Sequence, residues 1–177
     1  MSDITGTWVI DPAHTSIAFS ARHAMVAKVR GNFTQFEGQF SIDSANLAAS
    51  AAALTIQAAS IDTDNADRDG HLKSADFLDV EQFPTLTFTS TSVSQSGSTY
   101  HVTGDLSIHG ITKQITVPFE LVGVSQDPWG NTKIGFEAET EISHKDFGLT
   151  WNAALETGGV LVSDTIKLSL DVEATKQ

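Results

Sequence analysis

The chain has 177 residues and no cysteine, and its ten Lys and Arg against 22 Asp and Glu give a formal net charge of −12. The absence of cysteine excludes disulfides, thiolate metal sites, iron–sulfur clusters and cysteine nucleophiles. The acidic balance argues against nucleic acid and anionic membranes as partners, because both attract basic surfaces.

The N-terminal sequence Met-Ser-Asp-Ile-Thr-Gly-Thr-Trp has neither a basic start nor an apolar core, so it does not predict a secretory signal. No uninterrupted apolar run reaches the roughly 18 residues of a membrane-spanning helix. Linkers, repeats and low-complexity tails are also missing. We therefore expect a cytoplasmic protein that does not span a membrane, with one domain over residues 1–177, unless an export signal has been removed.

Alternation of apolar and polar residues predicts β-strands along most of the chain. The first strand has Ile17, Phe19 and Ala21 on one face, with His23 next in the same row. Later apolar rows follow the same rule: Phe36, Phe40 and Ile42; Leu86 and Phe88; Val102, Leu106 and Ile108; Ile115, Val117, Phe119 and Leu121; Ile134, Phe136, Ala138 and Ile142; Ile166, Leu168, Leu170 and Val172. Gly38 lies inside its row and is interpreted as a bulge. About eight such antiparallel strands around one core predict a sandwich or a closed barrel.

Two stretches depart from the strand pattern. Residues 45–53 are rich in alanine and predict a brief helical turn, followed by a strand from about Ala52. Residues 64–80 predict a short helical segment, with Asp64 capping its first turn. Ser74 is expected to cap a second short helix that carries Phe77 and Leu78. The predicted fold is therefore all-β with one helical segment.

No motif for a familiar catalytic or cofactor site is present. The sequence lacks a Gly-rich phosphate loop, a His-Glu-x-x-His zinc motif, a Gly-x-Ser-x-Gly nucleophile motif and a calcium loop. The aspartates between Asp62 and Asp69 lack the spacing of calcium ligands and are interpreted as helix-capping carboxylates. We therefore predict no catalytic residues, no metal site and no cofactor.

Four polar residues are candidates for contact with a ligand. His23 ends an inward row, which fits either the edge of a cavity or a core histidine bonded to the backbone. His14 precedes the same strand, where a structural turn bond is favoured over a ligand role. Arg68 and His71 share one face of the helical segment. Arg68 is suited either to gripping a diphosphate or carboxylate, or, as we favour, to an ion pair with Asp76 or Asp79.

The aromatic residues are the largest apolar feature, with ten Phe and three Trp but only one Tyr. A barrel of about eight strands either fills its interior or retains room for one ligand. Spacing alone does not decide between these alternatives. If a cavity exists, the phenylalanines expected to line it are Phe19, Phe33, Phe36, Phe40, Phe88, Phe119 and Phe136.

A series of short motifs runs in a fixed order over nearly the whole chain. It comprises Trp8-x-Ile10-Asp11, His14-x-Ser16, Val29-Arg30-Gly31-x-Phe33, Ser60-Ile61-Asp62-Thr63, Arg68-Asp69-x-His71-Leu72-x-Ser74-x-Asp76-Phe77, Gly104-Asp105-Leu106, Asp127-Pro128-Trp129-Gly130 and Asp146-Phe147-Gly148. The series resembles the YceI-like family. That resemblance implies an extended antiparallel barrel of lipocalin-like shape with a long apolar cavity, in a family regarded as polyisoprenoid binders in which dimers are common.

The leading hypothesis from residues and resemblance together is non-enzymatic binding and carriage or storage of a long-chain apolar ligand. The ligand would be a polyisoprenoid, an isoprenoid quinone, a prenyl phosphate or a similar lipid. His14, His23, Arg68 and His71 are predicted to form the polar mouth of the cavity. One alternative is an enzyme that uses His23 or His71 as a general base on a hydrophobic substrate. Another is a stress-linked interaction protein with a filled barrel, and a homodimer is kept open.

Overall fold

The fold is built almost entirely of β-strands. This computed structural model describes residues 3–23, 26–150 and 163–177, and for His23 the backbone alone. The strands within these residues are β1 (Gly6–Ile10), β2 (Ser16–His23), β3 (Ala27–Phe33), β4 (Phe36–Ile42), β5 (Ala51–Gln57), β6 (Ile61–Asp62), β7 (Thr85–Ser96), β8 (Thr99–Ile108), β9 (Ile111–Gln126), β10 (Thr132–Ser143) and β11 (Thr165–Lys176). The α-helix α1 spans Ala66–Lys73, and short 3₁₀ turns lie at Pro12–His14, Leu47–Ala49, Ala58–Ser60 and His144–Phe147.

Eight of these strands close into a barrel. Their order around the ring is β1, β4, β5, β7, β8, β9, β10, β11, and the ring closes because β1 pairs with both β4 and β11. Neighbouring strands are antiparallel throughout. The predicted all-β antiparallel barrel of about eight strands is thereby confirmed, and closure removes the exposed sheet edges that an open sheet would have.

The other three strands extend the barrel at one end. β11 is long enough to pair with β1 near its C-terminus and with β2 in its first half. β2 continues the sheet to β3, and β3 continues it to the two-residue strand β6. The helix α1 follows directly and contacts β6. Beyond α1, the buried side chain of Leu78 joins the core together with Leu72 and Val80.

The apolar rows predicted from the sequence face the barrel interior. On β8, Tyr100, Val102, Gly104, Leu106 and Ile108 are buried and the alternate residues are more exposed, as expected for a strand with one solvated face. The buried side chains form two clusters along the barrel. One is centred on Phe33, Leu86 and Phe147, and the other on Trp8, Ile134 and Phe136.

The helical segment is shorter than the predicted span of residues 64–80. Asn65, rather than Asp64, caps α1, because its side chain accepts the backbone N–H of Arg68. Asp64 instead has a φ of 60° and forms the turn that leads into the helix. Ser74 ends α1 by donating from its backbone N–H and its hydroxyl to the carbonyl of His71. The predicted second helix over Phe77 and Leu78 is wrong, since turns occupy that stretch.

Two further local predictions have definite outcomes. The alanine-rich stretch does form a brief 3₁₀ turn, followed by β5 from Ala51. The bulge predicted at Gly38 is wrong, because β4 and β5 keep an unbroken register there. Gly38 is needed for close packing instead, since a Cβ at this position would lie 2.7 Å from Cδ1 of Ile10. Within residues 3–23, 26–150 and 163–177, no helix has the length and apolar character needed to cross a bilayer.

Candidate functional site

The barrel interior contains a cavity of about 510 Å³, here called the wide cavity. Its walls come from the extended end of the barrel and from α1. Apolar side chains dominate the lining: Phe19, Ala21, Val29, Phe33, Ile61, Leu72, Phe77, Leu78, Leu86, Ile108, Ile142, Leu149, Ile166 and Leu168. The volume falls within the roughly 300–1,000 Å³ of small-molecule sites in proteins.

Strand periodicity explains why these residues meet. Phe19 and Ala21 are two positions apart on β2, and Ile166 and Leu168 are two positions apart on β11. Alternate residues of a strand point to the same face, so each pair presents both members to the interior. The pairing of Leu168 with Phe19 brings the two rows side by side.

A second space, the narrow cavity of about 120 Å³, lies in the other half of the barrel. Four of the predicted phenylalanines line it: Phe40, Phe88, Phe119 and Phe136. Phe136 makes edge-to-face contacts with Phe40, Tyr100 and Phe119, with ring centroids 5.7–6.4 Å apart. These contacts give the narrow cavity a rigid aromatic wall.

The predicted phenylalanines are thus divided between two spaces. Phe19 and Phe33 line the wide cavity, and their rings touch at a centroid distance of 5.7 Å. Phe36 lines neither cavity and packs partly buried against the core cluster. The expectation of a filled barrel does not agree with these volumes.

The two cavities follow each other along the barrel axis. On β2, β7 and β11, an inward residue of the wide cavity is two positions from an inward residue of the narrow one. These pairs are Phe19 and Ile17, Leu86 and Phe88, and Leu168 and Leu170. Two positions along a strand correspond to about 6.8 Å, so roughly one layer of side chains separates the spaces.

The polar side chains of the wide cavity come chiefly from α1 and its N-cap. Asn65, Asp67, Arg68 and His71 all belong to its lining, and Arg22 contributes from β2. Two of the four predicted mouth residues, Arg68 and His71, are therefore brought together at the same cavity. Their common location follows from their spacing of three along one helical turn.

Arg68 is held by Thr63 rather than by a carboxylate. Its Nε donates to Oγ1 of Thr63 and its Nη2 donates to the carbonyl oxygen of Thr63, both over 2.8 Å. The favoured ion pair of Arg68 with Asp76 or Asp79 is therefore wrong. Thr63 is 4% exposed, and its backbone N–H and hydroxyl both donate to Oδ1 of Asp69. Charge-assisted bonds of this kind fix the guanidinium at the wall of the cavity.

Asp76 has His71 as its partner. The Nε2 of His71 lies 2.9 Å from Oδ2 of Asp76, and the imidazole ring meets Phe77 edge-on at a centroid distance of 5.1 Å. Both contacts link the last turn of α1 to the turns that follow it. The side chains of His71 and Asp76 are 40% and 52% exposed, so solvent screens this pair.

His144 is a lining residue that the sequence interpretation assigned only to a loop. It was not among the candidate residues of the sequence analysis. It begins the 3₁₀ turn after β10, is 4% exposed, and belongs to the wall of the wide cavity. The available signal was its parity, because His144 lies two positions after the inward-facing Ile142. Its Nδ1 contacts the carbonyl oxygen of Leu149, and its Nε2 is buried without a hydrogen-bond partner in the described part of the chain.

His14 lies outside both cavities. Its Nδ1 is 2.8 Å from Oδ2 of Asp11, and its side chain is 65% exposed. The hydrogen bond with Asp11, reinforced by the charges of Glu173 and Asp11, raises the pKa of His14 above its usual 6.5, and the same bond lowers the pKa of Asp11. The remaining mouth candidate, His23, has its side chain outside the described residues.

Asp11, His14 and Glu173 also bring potential metal-ligand atoms within 4.8 Å of one another. The ammonium of Lys133 lies 3.7 Å from Asp11 and 3.9 Å from Glu173. A lysine that already neutralises the two carboxylates competes with any divalent cation. The cluster is therefore explained as a surface ion-pair network around the 3₁₀ turn Pro12–His14.

Comparison with known proteins decides the family. The model of the YceI-like domain matches residues 8–174. The chain belongs to the YceI-like family. Protein YceI of Escherichia coli is 40% identical over 164 residues, which are 93% of this chain and 83% of that protein. The resemblance drawn from the ordered motifs is thus confirmed.

Solved structures of other proteins share this fold. BcnA of Burkholderia cenocepacia matches with a TM-score of 0.80 and 26% identity, covering 94% of this chain and 99% of that one. A polyisoprenoid binding domain from Saccharophagus degradans, implicated in plant cell wall breakdown, matches with a TM-score of 0.73 over 96% of this chain and 98% of that one. At 17% identity, this second likeness shows a common fold.

Proposed function

We propose that this YceI-like protein binds and carries a long-chain apolar molecule of the polyisoprenoid type, with its chain in the wide cavity. The observation that carries the proposal is an interior space of about 510 Å³ whose walls are mainly Phe, Leu, Ile and Val. A barrel that merely needed a core would fill this volume with side chains, because protein interiors pack to the density of organic crystals. The relative described as a polyisoprenoid binding domain has the same fold.

Burial of the chain supplies the free energy of binding. Each methylene transferred from water is worth roughly 0.8 kcal/mol, so an isoprenoid tail needs no specific polar contact to bind. Selectivity along the tail then depends on the length and width of the space. The head group is selected by the few polar side chains in the wall.

The polar mouth in this proposal consists of Arg68 and His71 from α1, with Arg22 from β2 beside them. His23 remains a candidate from its position at the end of β2, whereas His14 is left out because it lies with Asp11 on the outside of the barrel. The two arginines of the wall, Arg22 and Arg68, outnumber its one carboxylate, Asp67, which on a chain with a net charge of −12 favours a ligand whose head is anionic or polar. A neutral quinone or amide is also compatible, since the apolar chain contributes most of the affinity.

The proposed role is binding and not catalysis. His71 of the cavity wall has a carboxylate partner in Asp76, which lies outside the lining, and this pair joins α1 to its following turn. Carriage, as opposed to storage, and a homodimer are parts of the proposal that ligand exchange and mass measurements will test.

A cavity-filling variant tests the function directly. Leu168→Trp places an indole in the wide cavity, and Ser169→Trp places the same group one position along β11, on the other face of the strand. We expect the unaltered protein and Ser169→Trp to bind geranylgeraniol, measured by native mass spectrometry and by calorimetry in dilute detergent. Leu168→Trp should lose at least about tenfold in affinity, which corresponds to about 1.4 kcal/mol.

Lipid extraction of the purified protein gives a second readout, because a tightly held apolar molecule should accompany the unaltered protein and Ser169→Trp. Thermal unfolding of both variants will check that they are folded. The proposal fails if the unaltered protein binds no long-chain prenol, or if Leu168→Trp and Ser169→Trp bind geranylgeraniol equally well.

A further inference from the structure

His144 has a buried imidazole in the described cavity wall. Its Nε2 has no hydrogen-bond partner among the described residues. The residue is 4% exposed and belongs to the lining of the wide cavity. Its backbone is fixed on both sides, since its N–H donates to the carbonyl of Asp164 over 3.1 Å and its carbonyl accepts the N–H of Leu149 over 3.2 Å. The ring is therefore held in place by the fold.

The tautomer of His144 follows from its contact with Leu149. The Nδ1 of His144 meets the carbonyl oxygen of Leu149, and a carbonyl oxygen can only accept a hydrogen bond. Nδ1 must therefore carry the proton. In a neutral imidazole with a protonated Nδ1, the other nitrogen, Nε2, has a lone pair and acts as an acceptor.

Without a hydrogen-bond partner, the buried Nε2 of His144 lowers the stability of the fold. A buried polar atom without a partner loses its hydration and gains nothing in return, and for this reason the great majority of such atoms in proteins are paired. The neighbouring lining residues Ile142 and Leu149 have apolar side chains. A ligand that brings its own donor into the cavity would remove the penalty.

We infer that Nε2 of His144 accepts a hydrogen bond from a hydroxyl or N–H group of the cavity's ligand. This rests on the proposed function and makes it more specific. The ligand class is a long-chain molecule with a donor at its polar end, such as an isoprenoid alcohol, a quinol, an amide or a protonated phosphate ester. Quinones, ethers and pure hydrocarbons lack that donor and gain nothing from His144.

Among the polar groups of the described wall this role falls to His144, because the acceptor-bearing side chains of Asn65 and Asp67 are exposed to solvent. Two donors of Arg68 are taken by Thr63, and a guanidinium has no acceptor to offer. His71 is paired through Nε2 with Asp76. His144 thus distinguishes a donor from an acceptor on the ligand, while the cationic residues respond to negative charge.

A matched pair of ligands isolates the bond. Geranylgeraniol and geranylgeranyl methyl ether have the same chain and the same oxygen, and only the alcohol can donate. We expect the unaltered protein to bind the alcohol about tenfold more tightly than the ether, the fold-change for one buried hydrogen bond. The measurement is competition for the cavity followed by calorimetry with each compound.

Three variants locate the effect. His144→Phe keeps a ring of similar shape and removes the acceptor, so it should bind the ether as the unaltered protein does and lose the preference for the alcohol. His144→Gln places an amide oxygen near the position of Nε2 and should retain part of the preference. His101→Gln is the control, because His101 lies on β8 between the inward-facing Tyr100 and Val102 and lines neither cavity.

A nitrogen-resolved NMR spectrum of the imidazole gives a readout that requires no variant. Adding geranylgeraniol should move the Nε2 resonance of His144 upfield, as a hydrogen-bonded lone pair does, while the ether leaves it in place. An alcohol preference that persists in His144→Phe, or equal binding of alcohol and ether to the unaltered protein, overturns the role of His144 and leaves the proposed function standing. Failure of both compounds to bind overturns the two together.

Discussion

Thr63 organises the charged side chains at the wall of the wide cavity. It accepts from Nε of Arg68, offers its carbonyl to the same guanidinium, and donates twice to Asp69. Burial of the hydroxyl makes each of these bonds costly to lose. The arrangement requires the turn at Asp64, whose positive φ returns the chain toward β6. An arginine in this setting has its position fixed before any ligand arrives.

His14 provides a residue-level prediction on pH. Its hydrogen bond to Asp11 raises the pKa of the folded state above the usual 6.5. A group whose folded pKa is raised stabilises the fold fully below its unfolded pKa, and this contribution is lost as the pH rises through the folded pKa. We therefore expect the free energy of unfolding to fall between about pH 6 and pH 8 by a larger amount in the unaltered protein than in His14→Asn.

An NMR titration checks the cause separately. The imidazole of His14 should titrate above 6.5 in the unaltered protein and at a lower pH in Asp11→Asn, which retains an oxygen for the backbone N–H of Ala13. The contribution will be small, because the His14 side chain is 65% exposed. A His14 pKa at or below 6.5, or one that Asp11→Asn leaves unchanged, would contradict the ion-pair assignment.

At the level of elements, the bulge between β7 and β8 depends on a glycine. The register shifts between Ser90 and Ser92, and Gly104 lies opposite this irregularity. A Cβ at Gly104 would lie 2.5 Å from the carbonyl oxygen of Thr89 and 2.9 Å from the Cα of Ser90. Both contacts are with backbone, which cannot rotate away. We expect Gly104→Ala to lower the free energy of unfolding by about 1–3 kcal/mol, the usual cost of overpacking.

Gly123→Ala is the matched control for Gly104→Ala. Gly123 also lies in a strand, β9, and a Cβ there has no other atom within 4 Å. Alanine at such a position leaves stability unchanged or raises it slightly, because it reduces the freedom of the unfolded chain. Urea unfolding measures the free energy of unfolding of the two variants, and the values can be compared if the m-values are equal. Equal losses in both variants would show that the bulge tolerates a side chain.

The strands could be predicted from the sequence because their signal is local and repetitive. Each inward row alternates over several residues, and the rows on β8 and β10 reappear in the structure residue by residue. The failures lie where several local hydrogen-bonding patterns compete. The side chain of Asn65 accepts the N–H of Arg68, and the N–H groups of Phe77 and Leu78 bond to the carbonyls of Ser74 and Leu72 in turns, although the sequence is equally compatible with a cap at Asp64 and a second helix.

The candidate site was predictable to the extent that it follows from periodicity. Arg68 and His71 share a helical face and do line one cavity. The sequence could not predict that the phenylalanines divide between two cavities. Alternation shows which face of a strand a residue lies on, but not its position along the barrel axis. The sequence interpretation also missed His144, since a histidine after an apolar row is equally compatible with a loop.

Part of the acidic charge of the molecule lies on the outer surface of the barrel. On β10, the inward residues alternate with Glu137, Glu139 and Glu141. Asp171 of β11 lies opposite Glu137 in the pairing of the two strands. Few cations relieve this face; Lys167 lies 3.3 Å from Glu139. Repulsion between such faces opposes non-specific association through this part of the surface. The charged outer face also gives the barrel a hydrophilic exterior around its apolar interior, which suits the proposed carriage of a lipid.

Under the proposed function, the layer of side chains between the two cavities is expected to limit the length of chain that the barrel accepts. On β8, Leu106 lies between Val102 of the narrow cavity and Ile108 of the wide one. On β5, Ile56 follows Leu54 of the narrow cavity and pairs with Leu86 of the wide one. Both Leu106 and Ile56 are buried at 7–8% exposure. A tail that fills the wide cavity meets these side chains before it reaches the narrow one.

Affinity should therefore rise with each isoprene unit of a prenol series and then level off when the tail meets this layer. Each methylene buried before that point adds up to roughly 0.8 kcal/mol to the free energy of binding, and each further methylene adds little.

Leu106→Ala removes part of the layer, so the affinity of this variant should continue to rise for longer prenols than that of the unaltered protein. Ile134→Ala is the control, because Ile134 is 1% exposed, lines neither cavity and belongs to the other core cluster. Both truncations should lower stability, by about 2–5 kcal/mol, and only Leu106→Ala should change the length at which binding levels off. An identical length dependence in all three proteins would mean that the layer already opens without the substitution and that the two cavities act as one.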